Sequence, residues 1–189
     1  MRIIAGKFKG RKLVKSDHLK SLRPTTDMAR EALFNILASG KFINEISFDI
    51  NGANILDVCA GSGAVAFEAL SRGAKFATLI EKDRGHIEII RSNAKVFDVE
   101  NQIKILNYDA KKLPKNSEFF DLIFIDPPYE DNYKEIIEKL CSENWIKQDS
   151  LVVIEHDSIF NKKGFDIGKS LKFLDLRSYG KTSFSFFTL

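Results

Sequence analysis

From residue 53 onward the chain alternates short apolar runs with amphipathic segments, and few folds satisfy that pattern. Ile55-Leu-Asp-Val58, Phe76-Ala-Thr-Leu-Ile80, Ile103-Lys-Ile-Leu106, residues 120–125 and Leu151-Val-Val-Ile154 each have the length and composition of a strand. Between them the spacing predicts helices over residues 64–72, 85–97 and 132–141, with Gly73 closing the first and Ile87, Ile90, Ala94 and Phe97 striping the second. Near-continuous apolar strands separated by helices read as a parallel sheet covered on both faces. Residues 171–178 and 183–189, hinged on Tyr179-Gly-Lys181, read as a closing antiparallel pair. The expected architecture is therefore α/β, a mostly parallel seven-stranded sheet in a single domain over residues 1–189.

The lead segment differs in character. Residues 1–30 hold nine Lys and Arg against Asp17 and Asp27, so +7 of charge precedes a body of −4 in a chain of net +3. Residues 1–15 alternate roughly and carry Gly6 and Gly10, which predicts a small β-hairpin with a cationic outer face. Residues 16–26 are a polar loop. A helix is expected over about residues 27–38, with Ala29, Leu33, Ile36 and Leu37 on its apolar stripe, Arg30 and Glu31 facing outward, and Gly40 just past its end. Such a basic arm either meets phosphate, with Lys7, Lys9, Arg11, Lys12 and Arg23 as the candidate nucleic-acid contacts, or is a basic terminus of the kind common in proteins that bind nothing anionic, and charge alone does not choose.

Composition excludes several classes. With 44% hydrophobic and 29% charged residues in 189, the chain reads as an ordinary globular protein large enough to bury a core unaided. No apolar run has the length of a membrane span, and the basic N-terminus lacks the form of a signal peptide. Cys59 and Cys141 make no disulfide framework, and His18, His86 and His156 make no metal-ligand spacing. A cytoplasmic protein without metal, acting as a monomer, is the expectation.

The first strand runs into Asp57-Val-Cys-Ala-Gly61-Ser-Gly63-Ala-Val-Ala66. Gly61 and Gly63 permit a tight turn and close approach of a nucleotide, and Ala66 can stand for a third glycine where helix meets strand. Glu81, at the end of the second strand, is spaced to grip a ribose diol, with Lys82 beside it. This pattern fits NAD as well. Asp57, four residues before Gly61, favours a ligand carrying an ammonium or sulfonium group instead, such as S-adenosylmethionine. In Asn107-Tyr-Asp109-Ala110, Asp109 is either an acceptor for an adenine amine or a polar strand-end residue, and the residue alone does not choose.

The run Phe120-Asp-Leu-Ile-Phe-Ile-Asp-Pro-Pro-Tyr129 ends where a strand must stop, because consecutive prolines lack N–H donors and fix φ. It presents the Asp126 carboxylate, the carbonyls of Pro127 and Pro128, and the Tyr129 ring. An exocyclic base amine is a poor nucleophile because its lone pair is delocalised. Two acceptors, Asp126 and the Pro127 carbonyl, can hold its N–H groups and aim the lone pair. Tyr129 can stack on an unstacked base, worth about 1–3 kcal/mol.

These motifs resemble those of class I amino-group methyltransferases, whose fold is Rossmann-like. Leu22-Arg-Pro-Thr-Thr-Asp27, Ala60-Gly-Ser-Gly-Ala64, Glu68-Ala-Leu-Ser-Arg72 and Tyr179-Gly-Lys-Thr182 narrow the resemblance to the bacterial 16S rRNA (guanine(966)-N2)-methyltransferase family, across essentially the whole chain. Arg2-Ile-Ile-Ala-Gly6 and Gly10-Arg-Lys12 fit it too. The resemblance implies methylation of a guanine amine in 16S rRNA, in the small ribosomal subunit or an assembly intermediate, with S-adenosyl-L-methionine as donor. It also implies that Arg23, Pro24 and Thr25 lie near the cofactor and nucleotide. Cys59 departs from it, standing where an aromatic or aliphatic residue is usual. The alternatives are an adenine-N6 methyltransferase, disfavoured by the lack of room for a recognition domain, an NAD oxidoreductase, and a non-catalytic RNA-binding assembly factor.

Overall fold

The computed structural model describes residues 1–14, 26–42, 46–128, 133–159 and 170–189. One sheet contains β1 (Asn54–Val58), β2 (Phe76–Ile80), β3 (Ile103–Leu106), β4 (Leu122–Ile125), β5 (Leu151–Asp157), β6 (Lys172–Tyr179) and β7 (Thr182–Thr188), in the order β3-β2-β1-β4-β5-β7-β6. The first five are mutually parallel, and β7 runs antiparallel between β5 and β6. The strand order reverses between β1 and β4, and that crevice at the strands' carboxyl ends is where open α/β sheets take ligands.

Among the described residues, the helices that cover the sheet are α1 (Asp27–Ala38), α2 (Ala64–Ser71), α3 (Arg84–Phe97) and α4 (Tyr133–Ser142). Side chains alternate along a strand, so each strand feeds two cores. Ile55, Leu79, Phe124 and Val153 meet α1, α2 and α3 on one face, through Leu33, Phe67 and Phe97 among others. Leu56, Ile80, Ile123 and Ile154 meet α4 and Trp145 on the other. Thr26 caps α1, its hydroxyl accepting the Ala29 N–H at 3.1 Å, and Asp83 caps α3, accepting the His86 N–H at 2.9 Å. That contact holds the Asp83 carboxyl below its ordinary pKa.

Three expectations need correction. Arg30 does not face solvent; it is fully buried, while Glu31 is exposed. Its guanidinium donates to the Arg2 carbonyl at 2.6 Å and to Asp27 at 3.0 Å, and its Nε stands 3.7 Å from the buried Glu68. The N-terminal hairpin shrinks to a single antiparallel bridge, Arg2 to Lys12, around a 3-10 turn at Gly6–Phe8. The Ile3 N–H to Arg11 carbonyl and Leu13 N–H to Met1 carbonyl bonds close that bridge at 3.0 and 3.3 Å, and the pairing goes no further because side chains take the next donors: Glu68 accepts the N–H groups of Ile4 and Ala5, and Ser71 that of Phe8. Gly6 is obligatory there, since a Cβ would sit 1.8 Å from the Ser71 carbonyl oxygen. Finally, β5 runs three residues past its apolar run, to Asp157, because β7 pairs with it as far as Thr182.

Candidate active site

Four carboxylates gather at the carboxyl edge of the parallel strands. Asp57 lies on β1 and Glu155 on β5, and Glu81 and Asp126 directly follow β2 and β4. The register pairs Val58 with Ile125 and Ile125 with Ile154, so Asp126 continues the ladder beside Glu155. Its N–H still donates to the Val58 carbonyl at 3.3 Å. Asp57 shares its parity with Ile55, Glu81 with Leu79, Asp126 with Phe124 and Glu155 with Val153. All four therefore belong to the sheet face that α1, α2 and α3 cover.

The glycine turn is shaped by the same carboxylates. Gly61 and Gly63 have φ of 55° and 75°, and Cys59 shares the left-handed region at 64°. A Cβ on Gly63 would lie 2.8 Å from the Phe67 ring and 3.0 Å from Leu79, so only glycine fits the start of α2. Glu81 accepts the Gly61 N–H at 2.8 Å through Oε2 and the Asp83 N–H at 2.8 Å through Oε1. Asp57 Oδ2 accepts the Ala66 N–H at 3.2 Å. Ala60 donates to Ile80 at 3.1 Å, and the Gly63 N–H folds back to the Ala60 carbonyl at 2.7 Å. Ser62 is buried, and its carbonyl takes a bond from Asn93 Nδ2 at 3.3 Å.

Burial dominates the electrostatics. It pushes the Asp57 carboxyl up to about 8, with the charges of Glu81 and Glu155 adding and the Ala66 N–H opposing. Asp126 keeps partial solvent access, yet the protein packed around its carboxyl raises its pKa well above the ordinary range, followed by the charges of Glu155 and then Asp57. A positive ligand placed against such a buried carboxyl would restore its charged form.

The Conserved hypothetical protein 95 family model matches residues 1–188. Among curated relatives, Ribosomal RNA small subunit methyltransferase D of Haemophilus influenzae is 38% identical over 82% of this chain and 78% of its own length. The protein of that name in Escherichia coli K12 is 37% identical over 83% of this chain and 75% of its own. The chain belongs to this family of ribosomal RNA methyltransferases. The solved structure of Escherichia coli yhhF superimposes with a TM-score of 0.81 at 29% identity, covering 99% of this chain and 96% of that one. An RNA methyltransferase of Salinibacter ruber, solved with S-adenosyl-L-homocysteine, shares the fold at 14% identity, with a TM-score of 0.66 over 87% of this chain and 92% of that one. The class I Rossmann-like architecture is thus the architecture of this methyltransferase.

Other anticipated residues of the methyltransferase divide between two ends of the sheet. Pro127 is buried and Pro128 exposed at the tip of β4. Asp109 Oδ1 accepts the Lys111 N–H at 3.0 Å and so shapes the turn after β3, next to the buried Ala110. Lys82 is exposed, and its carbonyl, like that of Glu81, accepts the Asn107 amide at 3.0 Å. Lys7 and Arg11 lie elsewhere. Lys7 Nζ donates to Gln102 at 3.1 Å, just before β3 begins. Arg11 donates to the Val96 carbonyl at the end of α3 and covers the Phe97 ring at 5.0 Å. Both sit toward the edge where the parallel strands start, and Lys9 and Lys12 are exposed on the same turn. Arg23, Pro24, Thr25 and Tyr129 lie outside the described residues.

Sequence reading missed Glu155, Asn93 and Asn107. Glu155 carries the same signal as Glu81, an acid directly after an apolar strand run. Asn93 is fully buried, and its Oδ1 accepts the Val14 N–H at 2.7 Å while its amide holds Ser62. It thereby ties the N-terminal segment to the glycine turn.

Proposed function

We propose that this methyltransferase moves a methyl group from S-adenosyl-L-methionine to the exocyclic N2 amine of a guanine in 16S rRNA, on the small ribosomal subunit or an assembly intermediate. The observation that carries the reading is the carboxylate row at the β1–β4 crevice, in a chain related over most of its length to enzymes named for methylating small-subunit rRNA. When bound, S-adenosylmethionine supplies a methyl carbon on a sulfonium, an electrophile that needs no metal. Asp57, neutral at neutral pH when nothing cationic faces it, suits the donor's ammonium group. Glu81 suits the ribose diol, the Gly61–Gly63 turn admits close approach, and Asp109 with Ala110 suits the adenine.

Asp126 and the Pro127 carbonyl accept the two N–H groups of the target amine, and Tyr129 stacks on its base. The nitrogen gives its lone pair to the methyl carbon as the carbon–sulfur bond breaks, and it then sheds one proton. Asp126, its pKa raised by burial and by the charge of Glu155, is a stronger base than an ordinary carboxylate and so a better acceptor for that proton.

The test is transfer of labelled methyl from S-adenosylmethionine to unmethylated small subunits, free 16S rRNA, tRNA and duplex DNA, followed by nucleoside analysis. Label in N2-methylguanosine from the particle supports the proposal. Label in N6-methyladenosine reassigns the base, and no label with donor binding intact leaves a non-catalytic RNA binder.

A further inference from the structure

The methyltransferase carries a second concave site, at the opposite edge of the sheet. A cleft of about 570 Å³ opens where β1, β2 and β3 begin, lined by Asn51, Gly73, Lys75 and Gln102 together with Lys7 and Arg72. Among the described residues, no carboxylate lines it. Arg72 is held rigidly, its Nε donating to Glu68 at 2.8 Å and its guanidinium stacked 5.0 Å from the Phe34 ring. Glu68 offsets that charge. Among the described residues, Lys7 meets the neutral Gln102 amide and the Phe8 ring, and Lys75 is exposed with no carboxylate partner. The rim thus presents two uncompensated ammonium groups above a polar floor closed by the Gly52 N–H to Gly73 carbonyl bond of 2.8 Å. Arg11, on the same turn as Lys7, continues the positive strip.

That chemistry suits a phosphate. Because the chain is a ribosomal RNA methyltransferase, we infer that the cleft docks a backbone phosphate of the rRNA substrate several nucleotides from the target base. The inference rests on the rRNA reading but not on the identity of the methylated base. The five residues of β1 separate the cleft from the carboxylate row, about 17 Å at ~3.3 Å per residue. Phosphates along one strand of a duplex advance ~3.4 Å along the axis per step, so RNA that bridges the two edges spans at least about five steps, because it passes around the sheet and not through it. The site therefore measures substrate length: an RNA long enough to reach both edges gains contacts that a shorter one lacks.

The experiment compares wild type with Lys75→Gln, Lys75→Glu and a Lys7→Gln/Lys75→Gln pair, on unmethylated small subunits over a salt series. Each lost phosphate contact should lower the slope of log affinity against log salt by about 0.7–0.9. The pair, which strips both ammonium groups from the one docked phosphate, should lose the whole of that decrement and Lys75→Gln a part of it, and Lys75→Glu should weaken binding more than Lys75→Gln. Donor affinity and melting temperature of the Lys75 variants should match wild type, which separates the effect from misfolding. A slope and affinity unchanged in all three variants overturn the inference. If wild type labels no RNA at all, the rRNA reading beneath it has failed instead, a result the salt series cannot mimic.

Discussion

Glu81 accepts the Gly61 N–H at 2.8 Å across 20 residues of sequence, so the acid after β2 is also the brace of the glycine turn. Its second oxygen holds Asp83, the N-cap of α3. Hydrogen bonds to a charged group contribute about 1.5–3 kcal/mol each. Glu81→Ala is therefore expected to weaken S-adenosylmethionine binding at least tenfold. 5′-Methylthioadenosine, which keeps the ribose but lacks the amino acid, should lose affinity in parallel. Glu81→Gln, which retains one acceptor oxygen, should fall between. Titration calorimetry with both ligands checks this, and unchanged affinity in the Ala variant rules the brace out.

Asp57 makes the unliganded protein sensitive to pH in a defined direction. Its carboxyl is raised to about 8, so between its ordinary pKa near 4 and that value the folded state holds a proton the unfolded state has lost. Stability from this group is therefore full below about pH 4 and falls as pH rises toward about 8, by up to ~1.4 kcal/mol per pH unit. Asp57→Asn removes the titration, and its melting temperature relative to wild type should climb between pH 5 and 8. For wild type, affinity for S-adenosylhomocysteine should rise over the same interval with release of a proton. Calorimetry in two buffers of different ionisation enthalpy reads that proton directly, and 5′-methylthioadenosine should show no such release.

Glu68 is the anchor of the N-terminal segment. Fully buried, it accepts Ile4 at 2.8 Å, Ala5 at 3.0 Å and Arg72 at 2.8 Å, and it faces buried Arg30 at 3.7 Å. Removing one partner of a buried pair strands the other charge, at a cost of about 3–5 kcal/mol. Glu68→Ala should lose that much in urea titration. Limited trypsin digestion should then cut at Lys7 or Lys9 before the core opens. Loss of stability without early cleavage would mean the segment is held by Asn93 and Ser71 instead.

Much of this architecture was legible because each signal is local. The β2 and β3 limits, the stripe of α3 and the extent of the Asp27–Ala38 helix follow from periodicity and punctuation within a few residues. What escaped depends on distant partners. Arg30 looks like a solvent-facing residue until Glu68 and Arg2 converge on it. β4 starts at Leu122 because Asp121 bonds Asn54 through its side chain at 2.7 Å, substituting for a ladder rung. Glu155 hides behind the end of an apolar run, and only the register with β4 sets it beside Asp126. The glycine turn and Asp126 announced themselves because backbone geometry restricts which residues they can contain.

That Glu155–Asp126 neighbourhood makes a kinetic prediction. Asp126 is raised first by burial and next by the charge of Glu155. If Asp126 must be ionised to hold the amine, kcat at saturating donor should fall on the acid side with its pKa. With the donor's ammonium group facing Asp57 as proposed, Asp57 stays ionised under those conditions and the limb is expected to belong to Asp126. Glu155→Gln removes one negative charge, so the acid limb should move to lower pH while donor affinity changes little. Asp126→Asn should lower kcat by ~100-fold or more, in the range of a lost general acid–base group, and leave donor dissociation within about twofold. Small-subunit methylation rates from pH 5 to 9 for the three proteins decide the matter. A limb that stays in place in Glu155→Gln would assign it to another group and leave Glu155 a purely structural end to β5.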